Sequence, residues 1–245
     1  MRPMPVFIIV AVFLAFDALA ALYVVRTSHG QYLAGLSLLK TGFAPKDVLP
    51  FLWRAVEQNP DHGEAWFHLG YTLNRMGRTQ EAADAFEQAV RIAPGSADAR
   101  YHLGVAYCNL GRIPEAVGML EWVAREKPTR AETFLSLGYA YAYRGDLPRA
   151  AAMFDRHLEL NPRNLNARFA LGQAYIGLSR WNDAITHLTM VHQANPSHGP
   201  TNFNLGVAYL RTGNRGKARE HAQALQGIDP QLGARLTDLI EPSGS

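Results

Sequence analysis

One sequence feature limits the fold more than any other: three rows of small or cyclic residues repeat every 34 positions without insertion. Pro60, Pro94, Pro128, Pro162, Pro196 and Pro230 form one row. Gly70, Gly104, Gly138, Gly172 and Gly206 form the second, and Ala82, Ala116, Ala150, Ala184 and Ala218 the third. A strict period of this length belongs to a solenoid of repeated units, each of which buries its apolar face only against its neighbours.

The chemistry of one unit, Gly63 to Pro94, predicts a helical hairpin. Trp66, Leu69 and Leu73 share one face at helical spacing. Gly70 has no side chain and admits the second helix at close range. Gly77 ends the first helix because glycine enters the left-handed region cheaply. Ala82, Phe86 and Ala89 form the inner face of the second helix, and Pro94, which cannot continue a helix, closes the unit. Four further copies follow. Ser179 replaces the turn glycine of the fourth, and Ala222 stands at the Phe position of the fifth, where thinner packing is expected.

The recurring set W-x2-L-G-x2-Y, A-x3-F and P resembles the tetratricopeptide-repeat (TPR) family from about Gly63 to Pro230. The expected fold is all-α: an N-terminal transmembrane helix, then a right-handed TPR superhelix of one degenerate and five clear repeats with a C-terminal capping helix. The expected domains are residues 1–26 as anchor or signal segment, 27–61 as degenerate repeat, 62–230 as the five clear repeats, and 231–245 as capping helix and frayed tail. In the degenerate copy, Gly35 and Gly42 match the glycine rows if one extra residue sits near Phe43-Ala44-Pro45. Asp47 is expected to cap the second helix there, with Pro50 in its first turn.

Residues 5–25 are apolar except for Asp17, long enough for a helix to cross a bilayer core of roughly 30 Å. One reading is a retained single-pass anchor, in which Asp17 and the small residues Ala20 and Ala21 contact a partner's membrane helix. The other is a secretory signal cleaved after Ala20, which frees an exported soluble chaperone or adaptor. The apolar run continues past Ala20 through Val25, which favours the anchor. Arg26, Lys40 and Lys46 on one side against Arg2 on the other favour a cytoplasmic repeat domain. The signal-like start favours an extracytoplasmic, periplasmic one, and this is the side expected.

The family resemblance implies a scaffold that binds protein segments along the groove lined by the first helices. Its ligand-facing positions map here onto four rows. The first holds Phe67, Tyr101, Leu135, Phe169 and Phe203. The second holds Tyr71, Val105, Tyr139, Gln173 and Val207. Asn74 stands for a third, and Arg75, Asn109, Tyr143 and Arg211 form the fourth. The aromatic row also has a packing explanation. An apolar groove with a few amides suits an extended or amphipathic partner segment. The carboxylate clamp by which one branch of the family holds chaperone tails is absent, since Phe67 and Tyr71 stand in its Lys and Asn places. Partners are therefore expected to be proteins, within a membrane-associated complex.

Other chemistry finds no support. The net charge of +3 comes with no basic run, which argues against nucleic-acid binding. Cys108 is the single cysteine and has no internal disulfide partner. No H-E-x-x-H, C-x-x-C, phosphate loop or G-x-S-x-G occurs. His62, His68, His187 and His192 are read as packing or surface residues. Neither an enzyme, a metal, a cofactor nor a small-molecule substrate is expected.

Overall fold

A computed structural model describes residues 26–241. Its regular elements are thirteen α-helices. The chain divides into two compact units, one ending at Met119 and the other beginning at Leu120.

In the first unit, α1 (Ser28–Lys40) pairs with α2 (Pro45–Gln58), and α3 (Gly63–Arg75) with α4 (Thr79–Ile92). The helix α5 (Ala97–Asn109) packs on α4, and the division falls inside α6 (Ile113–Glu126). The second unit contains α7 (Ala131–Tyr143) with α8 (Leu147–Leu160), α9 (Leu165–Gly177) with α10 (Trp181–Ala194), and α11 (Gly199–Arg211) with α12 (Arg215–Ile228). The last helix, α13 (Pro230–Ile240), packs on α12 and α11.

The hairpin turns follow from backbone chemistry. Gly77, Gly111, Gly145 and Gly213 all have φ between 74° and 83°, where a Cβ is penalised. Each first helix ends with the same pair of bonds: Gly77 N–H donates to Asn74 O at 3.0 Å and Arg78 N–H to Leu73 O at 3.0 Å. This Schellman closure satisfies carbonyls that the helix end would leave open. Ser179 keeps the same closure with φ 57°, so its side chain is held in the left-handed region. In the first hairpin, Gly42 takes the turn position at φ 81°.

The close approach at the other glycine row also has a cause. A Cβ on Gly70 would lie 2.8 Å from the Phe86 ring and 3.1 Å from Ala82 O. At Gly138 it would meet the Phe154 ring, and at Gly172 it would lie 2.6 Å from Leu188 Cγ. Phe86, Phe154 and Leu188 are fully buried, each burial worth about 1.5–3 kcal/mol.

Four expectations need correction. The first is the transmembrane helix in the fold class, and with it the single-pass membrane localisation. Among the described residues no helix is long and apolar enough to cross a membrane. These helices have 11 to 14 residues, about 20 Å at 1.5 Å per residue, short of a bilayer core. Asp17, Ala20, Ala21 and the cleavage motif lie outside the described residues. The second concerns Asp47. The helix α2 begins at Pro45 with Ala44 as N-cap and no side-chain cap bond, so Asp47 sits within the first turn. The third is that Pro50 lies inside the helix; it is exposed, where its missing N–H harms no buried partner.

The fourth is the thin packing at Ala222. An added Cβ at Gly70, Gly138 or Gly172 would first meet its own hairpin's second helix, whereas at Gly206 the nearest atoms belong to α13. The Cβ direction of Gly206 is filled by Leu236 of α13, which is fully buried together with Leu225 and Ala218. The small side chain at Ala222 makes room for a leucine from the next helix.

Candidate functional site

The face assigned to ligand binding lies on the first helices of the hairpins. In the first unit, Phe67 is half-buried, its ring centroid 5.9 Å from Phe86 and 5.6 Å from His102. Tyr71 is 38 % exposed and meets the His102 ring edge-on at 5.8 Å. Tyr101 meets the same imidazole at 5.2 Å. Asn74, Val105 and Cys108 are half-buried, while Arg75 and Asn109 are exposed.

In the second unit, Leu135 and Phe169 are half-buried and Gln173 is exposed. Tyr139 is 45 % exposed with its ring edge-on to Phe154 at 5.2 Å, and Tyr143 is 84 % exposed. The last copy differs. Phe203 and Val207 pack against the core shared with α13, and the Arg235 guanidinium lies 5.3 Å from the centre of the Phe203 ring. The terminal helix therefore covers part of this row. Arg211 remains exposed, with its guanidinium 5.7 Å from the Trp181 ring centroid.

The structure gathers Phe67, Tyr71 and Arg75 around a pocket of ≈ 340 Å³ that also takes Leu36, Leu39 and Lys40 from α1, with His68. The α1 residues were missed because the rows were counted in steps of 34. A step of 35 from Gly70 to Gly35 and from Gly77 to Gly42 puts Tyr32, Leu36, Leu39 and Lys40 on the same rows. His68 was read as a packing or surface residue, and His102 was missed; each follows a first-row residue directly, and both are half-buried.

The electrostatics of the unit fit burial. Tyr32, between His62 at 4.7 Å and His68 at 5.8 Å, has its hydroxyl pushed up to about 12 by burial and by Glu64, to which it hydrogen-bonds. Burial lowers the pKa of His68, with Glu64 opposing and Lys40 adding to the effect. His62 is lowered by burial and then by His29. Burial therefore favours the neutral form of both imidazoles, His62 and His68. Among the described residues no group of three or more His, Cys, Asp or Glu side chains could hold a metal ion.

Sequence profiles described as tetratricopeptide repeat match residues 51–83, 73–137, 135–198 and 169–232. The chain belongs to the tetratricopeptide-repeat family. No functionally curated protein matched the sequence. Among solved structures, the TPR protein is similar to YrrB, described as having an unusual peptide-binding site. The two share 23 % identity over 76 % of this chain and 97 % of that one, with a TM-score of 0.70. PilF of Pseudomonas aeruginosa is 16 % identical, covers 86 % of this chain and 97 % of its own, and has a TM-score of 0.69. PilW, described as a widely conserved type IV pilus biogenesis factor, is 20 % identical, with 85 % and 98 % covered and a TM-score of 0.66. At these identities the likeness is one of fold.

Proposed function

We propose that this TPR protein is a non-enzymatic scaffold or assembly adaptor that binds segments of partner proteins on the exposed first-helix faces of each of its units. The observation that carries this reading is the exposure of Tyr71, Tyr139 and Tyr143 on those faces. The tyrosines two residues beyond the second row, Tyr107, Tyr141 and Tyr175, face the other way, and are buried and hydrogen-bonded to acidic side chains. Large amphipathic rings left at a surface bury well against a partner while the hydroxyl keeps a polar contact. The descriptions of YrrB as peptide-binding and PilW as a biogenesis factor support the same class of role.

The test is affinity purification from the native source with the Tyr71→Ser, Tyr139→Ser, Tyr143→Ser triple variant. The expected result is loss of co-purifying proteins with helical circular dichroism retained. An unchanged set of partners would remove these faces from the function.

A further inference from the structure

The pocket in the first unit has a chemical character that specifies its occupant. Its floor is Leu36, Leu39, Phe67 and Tyr71, and His68 with two cations, Lys40 and Arg75, completes its lining, with no carboxylate among these residues. Among the described residues neither cation enters an ion pair; Arg78, Arg91 and Arg112 in the same unit all do. Both Lys40 and Arg75 are exposed, so their charge is available to a ligand.

Each cation ends its own helix, where positive charge is favoured by the helix dipole. That does not account for the pair. Asn109 and Tyr143 occupy the same position on later first helices, so a base is not required there. Among the described residues, α1 and α3 place two bases beside one apolar pocket.

We infer that this pocket binds an apolar segment of a partner protein flanked by Asp or Glu side chains, the apolar residue filling the pocket and the carboxylates pairing with Lys40 and Arg75. The inference rests on the adaptor reading above and narrows it to a ligand class and to one pair of helices. Flanking side chains are specified rather than a chain terminus. Phe67 and Tyr71 stand in the Lys and Asn places of the terminal-carboxylate clamp, so that clamp is not formed, and the donors to a carboxylate here are Lys40 and Arg75 at the rim. The charge pairing fixes register and excludes basic segments, while the apolar floor supplies contact area.

The test uses fluorescein-labelled peptides, acetylated and amidated, with the core Asp-Leu-Phe-Glu, its Lys-Leu-Phe-Lys twin and its Asp-Ser-Ser-Glu twin. Anisotropy with the full chain should show the first binding at least roughly tenfold tighter than either twin, and more weakly as salt rises. The double variant Lys40→Glu, Arg75→Glu changes only exposed side chains; it should reverse the preference between acidic and basic probes. Absence of binding by all probes, equal affinities, or a preference unchanged in the double variant would each overturn the inference. So would binding seen only when the acidic probe carries a free C-terminal carboxylate. Sedimentation that shows a dimer broken by the double variant would assign the pocket to a second copy instead, and also overturn it. The double variant is run beside the tyrosine triple variant in affinity purification. Partners lost only with the tyrosine variant refute this inference and leave the adaptor reading intact; partners kept by both refute the two together.

Discussion

At the scale of single residues, three positions show how the repeat tolerates or refuses change. Gly138 refuses a side chain, because even a Cβ meets the buried ring of Phe154. Gly138→Ala should cost about 1–3 kcal/mol, measured by urea denaturation; unchanged stability would mean that the ring yields freely. Ser179 shows the reverse case, with φ 57° at a position where the five other hairpins use glycine. Left-handed backbone costs a side-chain-bearing residue about 1–2 kcal/mol, partly offset by the greater unfolded-state freedom of glycine. Ser179→Gly should therefore stabilise by about 1 kcal/mol in the same assay. His157 replaces a small or aliphatic core residue and is buried. Its Nδ1–H donates to Ala131 O at 2.8 Å, and Nε2 accepts from Asn164 Nδ2 at 2.8 Å. The ring thereby ties α8 to the start of α7 and to the residue that caps α9. His157→Ala leaves both partners short of a bond, a loss of about 1–3 kcal/mol, readable as a lower urea midpoint.

At the scale of elements, α13 covers the last described hairpin. It stands where a further first helix would stand, and Leu236 occupies the space that Phe86 or Phe154 fills within earlier hairpins. Ile240 falls in the 34-residue glycine row, and it is buried. A second helix could not approach α13 there as α4 approaches α3 at Gly70. Leu239, in the register of the buried Leu205, is 51 % exposed, as suits a helix with no second helix packed on it. Leu236→Ala should open a cavity beside Gly206 and destabilise by about 2–5 kcal/mol. Hydrogen exchange should place most of that loss in α11, α12 and α13, since repeats depend chiefly on nearest neighbours. Exchange that rises evenly through α7 to α13 would contradict this.

At the scale of the whole chain, a recurring link ties successive hairpins inside each unit. Tyr107 Oη–H donates to Glu87 Oε1 at 2.7 Å and Tyr175 to Asp155 Oδ2 at 3.0 Å, and Tyr141 makes the same bond to Glu121. The guanidiniums of Arg112, Arg149 and Arg180 cover these rings at 4.1, 4.9 and 4.4 Å from their centroids. Burial first, and the neighbouring carboxylate second, push Tyr107 and Tyr175 up to about 12. The folded state thus holds the phenolic proton more tightly than the unfolded chain. This stability is present in full below about pH 10 and is lost as pH rises towards about 12. At the other end, burial, then His192 and Lys217, lower His221 to about 4. Its contribution is complete above about pH 6.5 and fades as pH falls to about 4. The melting temperature should decline at both ends. Tyr107→Phe with Tyr175→Phe should flatten the alkaline decline, and His221→Gln the acidic one. Parallel profiles for wild type and variants would show that other groups control the pH response.

The sequence alone determined the hairpins, their turns and the close approaches at Gly70, Gly138 and Gly172, because each is set by the backbone within one unit. A positive φ, a missing N–H or a missing Cβ acts on its immediate neighbours wherever the unit sits. The tertiary structure decided what depends on the next unit. Trp66, Arg100, Arg168 and Asn202 all donate to the carbonyl of the preceding row proline, Pro60, Pro94, Pro162 and Pro196. Four bonds of one kind are hidden behind three residue types. The partners of Tyr107, Tyr141 and Tyr175 lie 20 residues upstream, too far for helical periodicity to reveal. The ligand-facing rows were legible as registers, and Tyr71, Tyr139 and Tyr143 are exposed in them. The covering of Phe203 and Val207 by α13, and the entry of Leu36, Leu39 and Lys40 into the face, were not legible. Exposure is a property of how one helix docks on another, and a repeat written once per unit does not state what its end units meet.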